Sequence, residues 1–139
     1  MDALNKINEL NKFLYAKNCV VDKVFRDFIR LEFQLDSIGK ALLIHDYLKC
    51  LNELNALIRE SADKFQKIYD ENYSDGEKIF LSIGCSIIIT FIEKYLYISK
   101  KIQSLFTELN MDSKSIKLAY EEKQNMYEKH RVMHLFLSK

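Results

Sequence analysis

Proline and tryptophan are absent from the 139 residues, and glycine occurs three times, at Gly39, Gly76 and Gly84. Proline and glycine are the residues that stop helices and build tight turns. A β-sandwich or barrel needs many more turn residues than this chain has, which argues against both. Long helices remain as the default. An excess of one charge is lacking too: 21 basic residues face 20 acidic ones, a formal net charge of +1. That balance lacks the electrostatic footprint of a nucleic-acid binder, so neither nucleic acid nor an anionic membrane is expected as a partner. Cysteine is scarce and odd in number, and Cys19, Cys50 and Cys85 form no Cys-x-x-Cys spacing. All three read as reduced core residues of an intracellular protein. The opening Met1-Asp2-Ala3-Leu4-Asn5-Lys6 carries no apolar signal-peptide core.

Apolar residues make up 48% of the chain and charged residues 29%, the balance of one globular domain spanning 1–139. Leu4, Ile7, Leu10 and Leu14 recur at helical steps and predict a first helix, capped by Asp2 and ending at Asn18. Val21, Val24, Phe25, Phe28, Leu31 and Leu35 predict a second, closed near Gly39. Leu48, Leu51, Leu54, Ile58, Phe65 and Ile68 keep the period between Ala41 and Tyr73. Two helices are expected there, because thirty-odd residues exceed the usual helix length.

Ser74-Asp75-Gly76-Glu77 has the form of a capping box, with Ser at the N-cap and Glu three residues on. The helix it starts runs into Ile79–Ile92, 14 residues without a charge. A membrane span needs about 20 apolar residues, and this run ends at Glu93-Lys94, so no integral membrane segment is expected. Ile87-Ile88-Ile89 suits a strand, but no second strand is on offer to pair with it. The expected architecture is all-α, with amphipathic helices enclosing this apolar one on every side. The pattern continues through Tyr95, Ile98, Ile102, Leu105 and Leu109. It breaks at Asn110–Ser113 and resumes over 113–129, with an irregular or short helical tail through Leu137.

Catalytic apparatus is not apparent, and no cofactor or metal is expected. His130 and His134 stand at i, i+4, but no His-Glu-x-x-His pattern surrounds them. Acidic pairs such as Glu121-Glu122 and Asp70-Glu71 sit among lysines, as on solvated helix faces. The glycines do not form a phosphate loop, and no Ser or Cys occupies a nucleophile motif. The chain is read as a binding protein rather than an enzyme. Amphipathic helices packed about an apolar one can leave a groove for a partner helix. Phe28, Phe33, Leu51, Leu54, Ile58, Phe65, Ile79, Phe80 and Ile83 are its candidate lining.

The segment Phe65-Gln66-Lys67-Ile68-Tyr69-Asp70-Glu71-Asn72-Tyr73-Ser74-Asp75-Gly76 resembles the approach to the BH1 region of the Bcl-2 family. Tyr73 takes the aromatic place, Asp75-Gly76 the Asp-Gly step, and residues 77–98 the central hydrophobic helix. Leu31-Glu32-Phe33-Gln34-Leu35-Asp36 is similar to the Leu-x4-Asp core of a BH3 helix. Ile58–Asp63 followed by Phe65 is a rival copy, with small Ala62 inside it. Gly84 matches the glycine of the family's Asn-Trp-Gly-Arg signature in one register; the arginine has no counterpart, and neither does the BH2 tryptophan. The 17 lysines against 4 arginines suit an AT-rich genome such as those of some large DNA viruses, and Ser82-Ile83-Gly84-Cys85 looks like the central helix of poxviral Bcl-2-like proteins. The resemblance implies a Bcl-2-like helical bundle. It further implies a viral apoptosis inhibitor that sequesters BH3 helices of host pro-apoptotic proteins in the groove. Its expected place is the host cytoplasm, including the mitochondrial periphery. The alternative it implies is a poxviral-type block of innate immune signalling through an outer face, or a homodimer. An unrelated helical bundle, such as a phage or bacterial enzyme subunit, is the remaining reading.

Overall fold

A computed structural model describes residues 2–33 and 36–139, Ser37 by its backbone alone. Among the described residues there are five helices and no strand: α1 (Ala3–Phe33), α2 (Ser37–Ala41), α3 (Ile44–Tyr69), α4 (Asp75–Glu108) and α5 (Lys114–Leu137). The all-helical class follows from the sequence as expected. Several boundaries differ, and each difference has the same cause.

Asn18 does not end α1, which runs on for 31 residues. An interior Asn costs a helix only a few tenths of a kcal/mol. Against that, Ile7, Leu10, Leu14, Val21, Val24 and Phe28 form one unbroken buried stripe. The region expected to hold two helices is likewise one, α3. Its buried residues Tyr47, Leu51, Leu54, Ile58, Ala62 and Phe65 never lose register. Of the two forms expected for the tail the helical one is found, continuous with α5 past Lys129, its last turns buried through His130, Met133 and Leu137. In each case tertiary burial outweighs a weak local stop signal. Gly39 lies inside α2 and closes no earlier helix. Leu35, expected on the second stripe, falls outside the described residues.

The capping box is present with both of its bonds. Ser74 Oγ accepts from the Glu77 N–H at 3.3 Å, and Glu77 Oε1 accepts from the Ser74 N–H at 2.7 Å. Hydroxyls within the apolar run turn back on the helix itself: Ser82 Oγ donates to the Ile79 carbonyl and Thr90 Oγ1 to that of Ile87, both at 2.6 Å. The Asn110–Ser113 break is also observed. Asn110 takes a φ of 55°, and the Met111 N–H returns to the Phe106 carbonyl at 2.8 Å, a Schellman ending. Ser113 makes no side-chain cap; Asp112 Oδ1 accepts from the Lys114 N–H instead.

α4 is the hub, packed against α1, α3 and α5 and touching α2. α1 runs parallel to it, since Asn11 meets Phe80 and Asp22 meets Lys94 further along. α5 runs antiparallel: Cys85 Sγ donates to the His130 carbonyl, and the Tyr127 hydroxyl to Glu93. α3 is antiparallel to α1, with Lys6–Glu71 and Lys17–Glu60 pairs marking the register. The expectation that α4 is enclosed on all sides does not hold. By length and composition α4 is apolar enough to cross a membrane, against the shorter reading of the sequence, yet 39% of its most apolar window is buried in the bundle. Three long neighbours cover three sides, and the fourth stays open.

Gly84 sits where α1 crosses α4 most closely. A Cβ there would lie 2.7 Å from Asn11 Oδ1 and 3.1 Å from Leu14 Cδ1. Asn11 has little freedom to yield, because its Nδ2 donates to the Phe80 carbonyl at 3.0 Å. Gly84→Ala should therefore lower unfolding stability by about 1–3 kcal/mol in a urea titration. An unchanged midpoint would show that the crossing relaxes freely.

His130 is 3% exposed, its Nδ1 hydrogen-bonded to the Met126 carbonyl at 2.8 Å. Nε2 is buried without a partner. Burial pushes its pKa below the ordinary value; the Met126 bond opposes this and Lys129 adds to it. The unfolded chain, with a histidine pKa of about 6.5, takes up the proton first. Stability is thus full above that value and declines as pH falls through it toward the depressed folded pKa. The urea midpoint should drop between neutral pH and about pH 5, and His130→Phe should flatten that slope.

Candidate functional site

The nine residues expected to line a groove separate into two groups. Phe28, Leu51, Leu54, Ile58 and Phe65 are 0–5% exposed and belong to the core. Phe28 packs edge-on against Tyr47, and Phe65 against Tyr69 and His130. No partner helix reaches these five in the closed bundle, so the groove expected among them is filled. Phe33, at the end of α1, is 81% exposed and stands apart from the rest. Ile79, Phe80 and Ile83 are brought together on the first turns of α4, at 62%, 44% and 38% exposure.

The BH3-like motif is also rearranged. Leu31 packs against the core within α1, whereas Asp36 lies beyond that helix and caps α2, accepting from the Gly39 N–H at 2.8 Å. The two do not share a helix face, as a Leu-x4-Asp helix requires. Gln34 and Leu35 between them fall outside the described residues. In the rival copy, Ile58, Ala62 and Phe65 all point into the core. Of the BH1-like residues, Tyr73 is half-buried against Tyr69, Asp75 opens α4, Gly76 is exposed and Gly84 serves the α1 crossing. Cys85 is buried as expected, but Cys50 is half-buried and Cys19 is exposed.

What the structure assembles is the open side of α4. With 100° between successive residues, Lys78, Cys85 and Glu93 mark the line facing α5, and Phe80 and Gly84 the line facing α1. Ile79, Ile83, Ser86 and Thr90 fall between those lines. The face is uncharged for about three turns. Its α1 border is a cleft of about 440 Å³ in which Asn8, Asn11, Lys12 and Tyr15 meet Phe80 and Ile83. Tyr15 is 56% exposed and extends the apolar surface onto α1. At the α5 border Lys78 Nζ lies 4.8 Å from the ring centre of half-exposed Phe136. Charge returns only at Glu93 and at Lys94, which pairs with Asp22 at 3.4 Å. The α1 wall went unnoticed in the sequence. Its signal was the i, i+3, i+7 spacing of Asn8, Asn11 and Tyr15 beside the apolar stripe.

Reactive chemistry is not gathered here. Among the described residues no cluster of three or more His, Cys, Asp or Glu is placed to hold a metal. His134 does not join His130, whose ring is held inward. Burial raises the Cys85 thiol to about 12, leaving it protonated at neutral pH. Lys123 is an unforeseen buried cation, 2% exposed, with its ammonium 4.9 Å from the Tyr95 ring centre. Burial and the charge of Arg59 lower its pKa, against Glu122. Its place between α4 and α5, away from the open face, is that of a packing residue with an apolar stem. No protein-family model, curated protein or solved structure matches this chain.

Proposed function

We propose that this chain is a non-catalytic interaction domain that takes an amphipathic helix of another protein on the open side of α4. The observation that carries this reading is the uncharged, solvent-facing run Ile79–Phe80–Ile83 on the first turns of α4, beside a cleft against α1. Monomeric proteins rarely leave contiguous apolar surface without a use for it. A partner helix presenting apolar residues at i, i+3/i+4 and i+7 matches a three-turn face of this kind. Burial of three or four such anchors supplies roughly 1.5–3 kcal/mol each before association costs are subtracted.

The resemblance to viral Bcl-2-like proteins supplies the partner classes. In the poxviral-type reading, an outer face engages a host innate-signalling adaptor. The filled groove favours this version, because an outer face needs no opening of the core. In the other reading the partner is a BH3 helix of a pro-apoptotic host protein. That version requires the helix to lie on α4 itself, since Phe28, Leu51, Leu54, Ile58 and Phe65 are enclosed. The missing arginine of the family signature leaves the BH3 aspartate without its usual cation; Lys12, beside Ile83, is the nearest substitute in the cleft.

Two measurements test the assignment. Ile83→Glu should abolish binding to the cognate helix and shift the thermal midpoint by no more than a degree or two, as surface changes do. Leu54→Ala should instead cost roughly 2–5 kcal/mol of stability. Titration calorimetry with a panel of BH3 peptides, alongside reporter assays for inflammatory signalling and for apoptosis, separates the partner classes. Silence in all three assays refutes the family-based reading. Retained binding in Ile83→Glu refutes the face.

A further inference from the structure

We propose that the outer seam between α1 and α3 is a second docking groove, shaped for an acidic amphipathic helix of a partner protein. It lies on the α3 side of α1, meeting the cleft beside Phe80 at Asn5 and Glu9. Its floor is apolar: Leu10 and Phe13 from α1 and Ile68 from α3. The groove measures about 590 Å³ and spans Asn5 to Phe13, eight residue steps or about 12 Å of helix. That is two turns, the length over which i, i+3/i+4 and i+7 anchors repeat.

The rim is cationic. Lys6 stands at one end, held by Glu71 at 2.8 Å, and Lys17 lies beyond the other, 3.9 Å from Glu60. Between them Lys64 and Lys67 project from α3, one turn apart and both exposed. Lys64 Nζ lies 4.9 Å from the centre of the Phe13 ring, with Lys17 at 5.3 Å from the same ring. Among the described residues neither Lys64 nor Lys67 has an acidic partner, and the two carboxylates at the groove's mouth are already engaged, Glu9 3.9 Å from Lys12 and Glu71 2.8 Å from Lys6. Two unpaired ammoniums beside an apolar floor complement carboxylates set one turn apart along a helix whose other face is apolar. A flat anionic membrane fits less well, because the floor is recessed between two helices and Glu9 and Glu71 stand at its mouth. A fatty acid would leave much of its chain in water in so open a trough.

The test uses the full chain and a fluorescent, helix-stapled peptide with leucines at i, i+4 and i+7 flanked by glutamates. A second peptide carries lysines in the flanking positions. Fluorescence anisotropy at low salt should show binding of the glutamate peptide alone, weakening as salt is raised. Lys64→Glu/Lys67→Glu should weaken it by roughly tenfold or more. Ile83→Glu should leave it unchanged, so failure here and failure of the α4 reading are told apart. Circular dichroism checks that the exposed double variant keeps its fold, and Lys64→Met/Lys67→Met, which keeps the apolar stems, should lose affinity to a lesser degree. Three results overturn the proposal: equal binding of both peptides, full affinity in the double reversal, or an equal loss from reversing Lys114 and Lys117 on α5. Capture by phosphatidylserine vesicles that Lys64→Glu/Lys67→Glu abolishes, without peptide binding, assigns the seam to lipid and overturns it as well.

Discussion

Fourteen consecutive uncharged side chains run from Ile79 to Ile92, and the bundle is organised by which of them it buries. The capping box decides that the run is a helix. It fixes the first turn and satisfies donors that a strand would leave to a partner the chain does not have. The Ser82 and Thr90 hydroxyls bond to the helix's own carbonyls, which reduces the polarity the run presents. α1, α3 and α5 then gather about one axis because each carries a complementary stripe. Their mutual contacts follow from a shared neighbour. Close approach of α1 is paid for in side-chain volume, with Gly84 giving up its Cβ so that Asn11 reaches the Phe80 carbonyl.

Polar groups inside this core set its uniqueness. A hydrocarbon hub tolerates many rotations of the helices around it, and buried hydrogen bonds select among them. Asn11 locks α1 to α4 in register, and the Cys85 thiol, donating to the His130 carbonyl at 3.3 Å, does the same for α5. The selection has a cost. Ser61 Oγ and His130 Nε2 are buried without hydrogen-bond partners, and an unpaired polar atom in such surroundings is worth about 1–3 kcal/mol against folding. The α3–α5 side, where Phe65 faces His130, is therefore held by ring packing more than by polar contacts. It is the side most readily loosened by acid.

Much of this was legible in the residues. The absence of proline and the shortage of glycine announced long helices, and Ser74-Asp75-Gly76-Glu77 announced where the central one starts. The boundaries at Asn18 and within 41–73 were misread because a weak stop signal or a length prior competed with burial that only the assembled bundle reveals. For the candidate lining, apolar spacing was legible but exposure was not. Ile79, Phe80 and Ile83 were identified and lie on the surface, whereas Phe28, Leu51, Leu54, Ile58 and Phe65 were identified and lie in the core. Apolar periodicity is the same for a residue that faces a neighbour and one that faces a guest. What distinguishes them is the number of helices available to cover each face, and that number changed when two pairs of expected helices merged into α1 and α3.

The merger also explains why one side of α4 is bare. Divided into shorter pieces, residues 3–33 and 44–69 supply enough separate helices to surround a central one; fused, they supply two rods, which flank it. α5 takes the third flank, and α2, five residues long, is too short to cover another. An apolar face that the chain lacks the helices to cover is a consequence of its own continuity. It is also a constant feature of the folded state, needing no rearrangement to appear. α1 thereby borders two grooves, one shared with α4 beside Phe80 and a lysine-rimmed one shared with α3 over Phe13, with Asn5 and Glu9 common to both. On the two proposals above, the first groove would select by shape and hydrophobicity and the second by charge, so their partners would differ in kind.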